Sequence, residues 1–166
     1  MPAGGATVTP KNLRRVRSQG SELAYHWDLP GNVFSCEANY THSSSTKISE
    51  DFPGDPAFNA QLVYVPLDKF SLSWRTTVHL DGRLVKEMGG LVSYAFVGHC
   101  YYTEDNTGLL PSHQLVNVSA RSRFVIDRLG ITAKVEINNL LNEDYQVILG
   151  YPMPGRSFRL TMGVEY

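Results

Sequence analysis

Five histidines, two cysteines and a scatter of carboxylates are the residues of this chain that could do chemistry. His26, His42, His79, His99 and His113 stand at no metal-binding spacing, neither i, i+4 on a helix nor within a Cys-x-x-Cys or Cys-x-x-His block. His99 and Cys100 are adjacent, so on a strand they point to opposite sides and cannot share one ion. Cys36 and Cys100 could form one disulfide or remain two thiols, and their separation leaves both open. Glu22, Glu37, Glu136 and Glu165, with Arg75, Lys134 and Arg159, could be imagined as the paired carboxylates of a hydrolase. No nucleophile elbow, phosphate-binding glycine loop or dinucleotide fingerprint accompanies them, and Gly89-Gly90 reads as isolated glycine. The expectation is a protein that is not an enzyme, with no catalytic residue, no cofactor and no metal.

The elements that carry these residues are strands. Glycine and tyrosine are plentiful, no helical period appears, and the 166 residues hold no apolar run near the ~20 a membrane helix needs. A net charge of −1 offers no basic stripe for nucleic acid. Residues 1–15 read as a leading loop and 16–166 as one all-β body. In the final strand Phe158, Leu160, Met162, Val164 and Tyr166 share one face, and Ser157, Arg159, Thr161, Gly163 and Glu165 the other. The same alternation marks strands at Val16–Trp27, Phe34–Thr41, Phe58–Val65, about 71–80, Leu115–Phe124 and Ile131–Ile137. The charged residues fall on the polar faces, where an ion-pair network lining a water-filled barrel accounts for them. Tyr25, Trp27, Tyr40, Tyr64, Trp74 and Tyr166 fall on the apolar faces.

Connections alternate in length. Leu29-Pro30-Gly31-Asn32 and Pro66-Leu67-Asp68-Lys69 are tight turns, while 42–55, broken by Pro53 and Gly54, is a long loop. Outer-membrane barrels have short periplasmic turns and long extracellular loops. That places 29–32 and 66–69 on the periplasmic side and 42–55 outside. Residues 83–103 then read either as an extra hairpin above the membrane, the preferred reading, or as a sign that the strand at 71–80 and its successor divide differently.

The end of the chain resembles the last hairpin of TonB-dependent outer-membrane receptors, the plugged barrels that import siderophores, haem or cobalamin. That hairpin carries Asn-Leu-Phe-x-x-x-Tyr, then Gly-Tyr-x-x-Pro-Gly-Arg, an alternating strand and a terminal aromatic. The matching residues are Asn139, Leu140, Tyr145, Gly150, Tyr151, Pro154, Gly155, Arg156, Phe158 and Tyr166. Leu141 stands where the family has Phe, and Tyr166 where it ends in Phe. Gly20 and Glu22 resemble the Gly-x-Glu that opens one late strand. Phe96-Val97-Gly98-x-x-Tyr101 resembles a Tyr-Val-Gly-x-x-Tyr on the third-last up-going strand.

The resemblance implies an antiparallel transmembrane β-barrel portion, about seven to eight strands of a roughly 22-stranded barrel, and an open curved sheet in isolation. It implies the Gram-negative outer membrane, with lipid, the assembly machinery and the rest of the receptor as partners. TonB would be reached only through a plug and a TonB-contacting segment that precede the barrel. Neither is recognisable here, nor is an export signal, so a fragment is expected. The alternatives are a self-contained lipocalin-like barrel for a small ligand and a small complete outer-membrane barrel.

Overall fold

The computed structural model describes residues 15–166, so the leading loop expected over 1–15 lies, apart from Arg15, outside the described residues. Seven long strands form one antiparallel sheet: β1 (Val16–Asp28), β2 (Phe34–Lys47), β3 (Asp68–His79), β4 (Val85–Val97), β7 (His113–Ile126), β8 (Leu129–Asn138) and β11 (Ser157–Glu165). Each pairs with its predecessor and successor in that order, with β1 and β11 as edges. Two small hairpins lie in connections: β5 (Cys100–Tyr101) with β6 (Leu109–Leu110), and β9 (Gln146–Ile148) with β10 (Tyr151–Pro152).

The short connections all fall at one end of the sheet. Between β1 and β2 a 3₁₀ turn at Pro30–Asn32 uses Gly31 at φ 82°, and Pro30 presets its first residue. Residues 80–84 join β3 to β4. The hairpin from β7 to β8 closes on two residues, with Asp127 at φ 53° supplying the left-handed position. The long connections, 48–67, 98–112 and 139–156, crowd the other end. β1 and β11 both run from the long-loop end to the short-turn end.

Two expectations are corrected here. Residues 58–65 are not a strand: Asn59 and Tyr64 take φ 61° and 59°, and only an isolated bridge from Gln61 to Thr46 remains. The Pro66–Lys69 stretch is therefore the end of a long loop, at the opposite end from the periplasmic turn assigned to it, and Tyr64 belongs to no strand face. Residues 85–97 are a full strand of the sheet, not a hairpin beyond it; the hairpin of this region is only β5–β6. β4 ends on Phe96-Val97, the start of the Phe96-Val97-Gly98-x-x-Tyr101 motif. β4 runs upward, as that motif requires, but it is the second-last up-going strand.

Register then sorts every side chain. Leu23, Tyr40, Phe70 and Phe96 are cross-strand neighbours, as are Trp27, Cys36, Trp74, Val92, Val118, Ile137 and Phe158. The row from Trp27 to Phe158 is apolar without a break from β1 to β11. Slipping any strand by one residue would turn it inside out, which is why the alternation fixes the pairing.

Candidate functional site

Three surfaces can act on something outside the sheet: the apolar face, the polar face and the long-loop end.

On the apolar face Trp27 packs edge-on against Phe34, with ring centroids 5.7 Å apart, and Phe70 lies 6.0 Å from Tyr94. On β11, Phe158, Leu160, Met162 and Val164 keep 71%, 67%, 66% and 68% of their surface. Cys36 stands on this face and Cys100 in β5; both are free thiols, and burial pushes the Cys100 thiol up.

The polar face carries the charges. Arg121 pairs with Glu87, Arg123 Nη2 lies 3.0 Å from Glu165 Oε2, and Lys134 Nζ 2.8 Å from Glu136 Oε1. Glu37 accepts a bond of 3.2 Å from Asn39, and Glu22 is exposed on β1. Glu37, Glu136 and Glu165 are thus engaged with cations and an amide on different strands, and no two of the carboxylates named above form a pair. Among the described residues no group of three or more His, Cys, Asp or Glu could hold a metal.

The long-loop end holds most of the buried residues. Lys47, at the top of β2, reaches Asp55 at 2.6 Å and Asp51 at 2.8 Å. Asp55 also accepts from the backbone N–H groups of Ala57 and Asp51. The Lys47 ammonium first, then these two N–H groups, pulls the Asp55 carboxyl down to about 2. Gln61 and Asn106 lock the first two loops together: Gln61 N donates to Asn106 Oδ1 at 2.7 Å, and Asn106 Nδ2 to Gln61 O at 2.9 Å. Tyr64 N adds a bond of 2.7 Å to Tyr101 O.

The third loop is built on Asn139. This residue sits at φ 51° and is buried. Its N–H donates to Asn117 Oδ1 at 2.9 Å, its Nδ2 donates to Glu143 O at 2.8 Å and Pro154 O at 3.4 Å, and its Oδ1 accepts from Glu143 N at 2.8 Å. Leu140 N donates to Val116 O, and Arg156 N to Asn142 Oδ1 at 2.9 Å. Tyr145 stacks on His113 at 4.4 Å, and its carbonyl accepts from Met153 N. Gly150 takes φ 82° ahead of exposed Tyr151, and Gly155 lies beside Asn142 Oδ1. The structure therefore gathers Asn139, Leu140, Tyr145, Pro154, Gly155 and Arg156 in one loop, with Phe158 on the strand below and Tyr166 just past its end. Gly20 and Glu22 lie on the opposite edge. A Cβ at Gly20 would run into the His42 carbonyl, so glycine there permits β1 to approach β2.

Sequence reasoning missed the Lys47–Asp55 pair and the Gln61–Asn106 exchange. The only signal was composition: Pro53, Gly54 and Pro56 around Asp55 mark a folded loop but name no partner.

An open antiparallel sheet with one apolar and one polar face, short turns at one end and long loops at the other, is a piece of barrel wall. Residues 2–140 match the family described as TonB dependent receptor-like, beta-barrel, and this chain belongs to that family. The match ends at Leu140, so of the last-loop motif it contains only Asn139 and Leu140. The fold is similar to that of BauA, the ferric preacinetobactin receptor from Acinetobacter baumannii (TM-score 0.76, 18% identity). It is also similar to that of FyuA, the ferric yersiniabactin uptake receptor from Yersinia pestis (TM-score 0.63, 19% identity). Each alignment covers 89% of this chain and 22% of the other, so the chain spans about a fifth of the length of those receptors. No curated protein matches the sequence.

Proposed function

We propose that the seven long strands are a stretch of the outer-membrane wall of a TonB-dependent receptor that imports a ferric siderophore. The observation that carries this reading is the apolar face, whose row from Trp27 to Phe158 passes through all seven strands. From Phe70 to Val78 the band covers eight residue steps, ~26 Å along a strand at ~3.3 Å per residue. A tilt of about 40° brings that to ~20 Å of height, and the terminal rings extend it toward the ~25 Å band of outer-membrane barrels. The polar face then lines the lumen, the short turns face the periplasm and the long loops face outward. Further strands along β1 and β11 complete the barrel, since an unpaired ladder cannot stand in hydrocarbon. The assembly machinery and, through the rest of the receptor, TonB are its partners.

Within this reading Asn139, Leu140, Tyr145, Gly150, Tyr151, Pro154, Gly155 and Arg156 are structural residues of the last outward loop. The cargo is assigned as a ferric siderophore because the two similar structures are receptors for ferric chelates.

The chain has two tryptophans, Trp27 and Trp74, both on the apolar face. In phosphatidylcholine vesicles with brominated acyl chains, the fluorescence of the inserted chain should be strongly quenched, and aqueous iodide should leave it largely unchanged. Quenching by iodide and not by bromolipid would remove the membrane assignment. For the cargo, loss of the gene that encodes this chain should abolish uptake of a labelled ferric siderophore and spare cobalamin; the reverse split would change the substrate class.

A further inference from the structure

The ladder between β7 and β8 ends at Val118 and Ile137. Above that level the last loop takes the place of β8 beside β7. Leu140 N donates to Val116 O at 2.7 Å, and Asn139 N to Asn117 Oδ1 at 2.9 Å. Further up, Tyr145 stacks on His113, with ring centroids 4.4 Å apart and planes 26° from parallel. His113 and Asn117 alternate onto the polar face of β7 with Arg121, so the loop is drawn to that side of the sheet.

The two attachments differ in kind. At the base, Asn139 holds the loop by amide hydrogen bonds, which no proton near neutral pH disturbs. The upper attachment rests on a histidine ring, which changes charge in mild acid. Asn139 and Asn142, at φ 51° and 56°, supply the turns between the two. Beyond Tyr145 the hairpin β9–β10 leaves Val147, Ile148, Leu149 and Tyr151 exposed, so it buries little that would hold it down.

The surroundings of the ring set the sign. His113 is the first residue of β7, in the row of Lys69 and Val97. That is one row beyond Phe70 and Phe96, outside the apolar band. Val97 adjoins it from β4, Lys69 stands two strands away, and Glu143 and Asp144 lie in the loop. His99, past the end of β4, turns to Tyr101 at 5.9 Å. Burial lowers the His113 pKa from its ordinary 6.5, and the Glu143 carboxylate opposes this less strongly. A ring released to water regains the ordinary value. Protonation therefore favours release, and the stack is full strength above pH 6.5 and weakens as pH falls below it.

We propose that the His113–Tyr145 stack is a proton-released latch, holding the last loop against the polar face at neutral pH and freeing it in mild acid, with Asn139 as the hinge. The inference goes beyond the import reading and holds whether or not the polar face encloses a pore.

The test is NMR of the full chain in detergent micelles at about pH 7.5 and about pH 5.5. The amide shifts and relaxation dispersion of Tyr145 and Gln146 read the ratio of released to latched loop. That ratio should rise in acid by up to roughly tenfold, the ceiling for a ring that titrates at 6.5 when released. Leu140 and Val118 should not respond. His113→Phe keeps a ring under Tyr145 but takes no proton, so the loop should stay latched at both pH values. Tyr145→Leu should release it at both. An unchanged ratio, an acid response that survives in His113→Phe, or a loop still latched in Tyr145→Leu would overturn the proposal. So would tighter latching in acid, which would make the charged ring a cation–π partner of Tyr145, or an equal response at Val118, which would mean the strand itself melts. The tryptophan quenching above is independent of all these outcomes.

Discussion

Leu160 on β11 keeps 67% of its surface, whereas Lys47 at the loop end keeps 3%. In the wall the apolar side chains are outside and nothing in the sheet covers them. At the loop end Lys47 and Asp55 are buried against each other, and Gln61 and Asn139 are buried among hydrogen-bond partners of their own. A soluble domain does the reverse, since it hides apolar groups and keeps charges wet. In the proposed reading the wall can forgo an internal core because its apolar face meets lipid, and between its edges the backbone is satisfied by the ladder. The loops bury only Ala57 and Leu110 among their apolar residues, so they cohere largely through polar groups that find partners.

The difference is sharpest where a charge is placed on the two faces of one strand. Leu160→Arg should cost about 2–4 kcal/mol of folding free energy in a bilayer. Thermal or urea unfolding of the vesicle-inserted receptor measures it, and a neutral result would mean that this face does not meet lipid. Next in size is Asn139→Ala, which strips three side-chain hydrogen bonds from a buried turn. About 1–3 kcal/mol should be lost locally, seen as faster amide exchange at Glu143 with the ladder of β8 and β11 unchanged.

The Lys47–Asp55 contact gives a smaller, pH-controlled effect. Asp55 has its carboxyl lowered from 3.8 to about 2. A depressed acid stabilises the fold above its ordinary value and loses that contribution as pH falls through the depressed one. Exchange at Ala57 should therefore be protected at pH 5, weaken below pH 4 and open near pH 2, while the strands stay protected. Lys47→Met should expose the same amide at neutral pH. Uniform loss across wall and loop would show that the two regions are not separate. The smallest effect belongs to Thr161→Arg, on the polar face one residue from Leu160, where thermal stability should be nearly unchanged.

The two regions also differed in how far the sequence disclosed them. Period-two alternation is local, so β3, β8 and β11 were legible from Leu72-Trp74, Ile131-Ala133-Val135 and Phe158 to Tyr166. Alternation also misled. Phe58, Ala60, Leu62 and Tyr64 mimic a strand, but Asn59 and Tyr64 turn left-handed because Asn59 N bonds Lys47 O and Tyr64 N bonds Tyr101 O. β4 was hidden for the opposite reason: Leu91, Ala95 and Val97 place apolar groups on the polar face, and Gly89-Gly90 interrupts the pattern. Asn139 was recognised by resemblance, yet its work, a left-handed turn tied to Asn117 on another strand, depends on tertiary contact. The loop contacts join residues up to 45 positions apart, as Gln61 and Asn106 are, and no local period reports them.

The shared direction of β1 and β11 sets a parity rule. An all-antiparallel cylinder needs an even count of staves, and seven with like-directed margins can be completed only by an odd number more. Identical copies inserted the same way up would meet margin to margin in parallel, so self-association in one membrane cannot close the ring with antiparallel ladders throughout. The complement must begin and end on strands that rise toward the long loops.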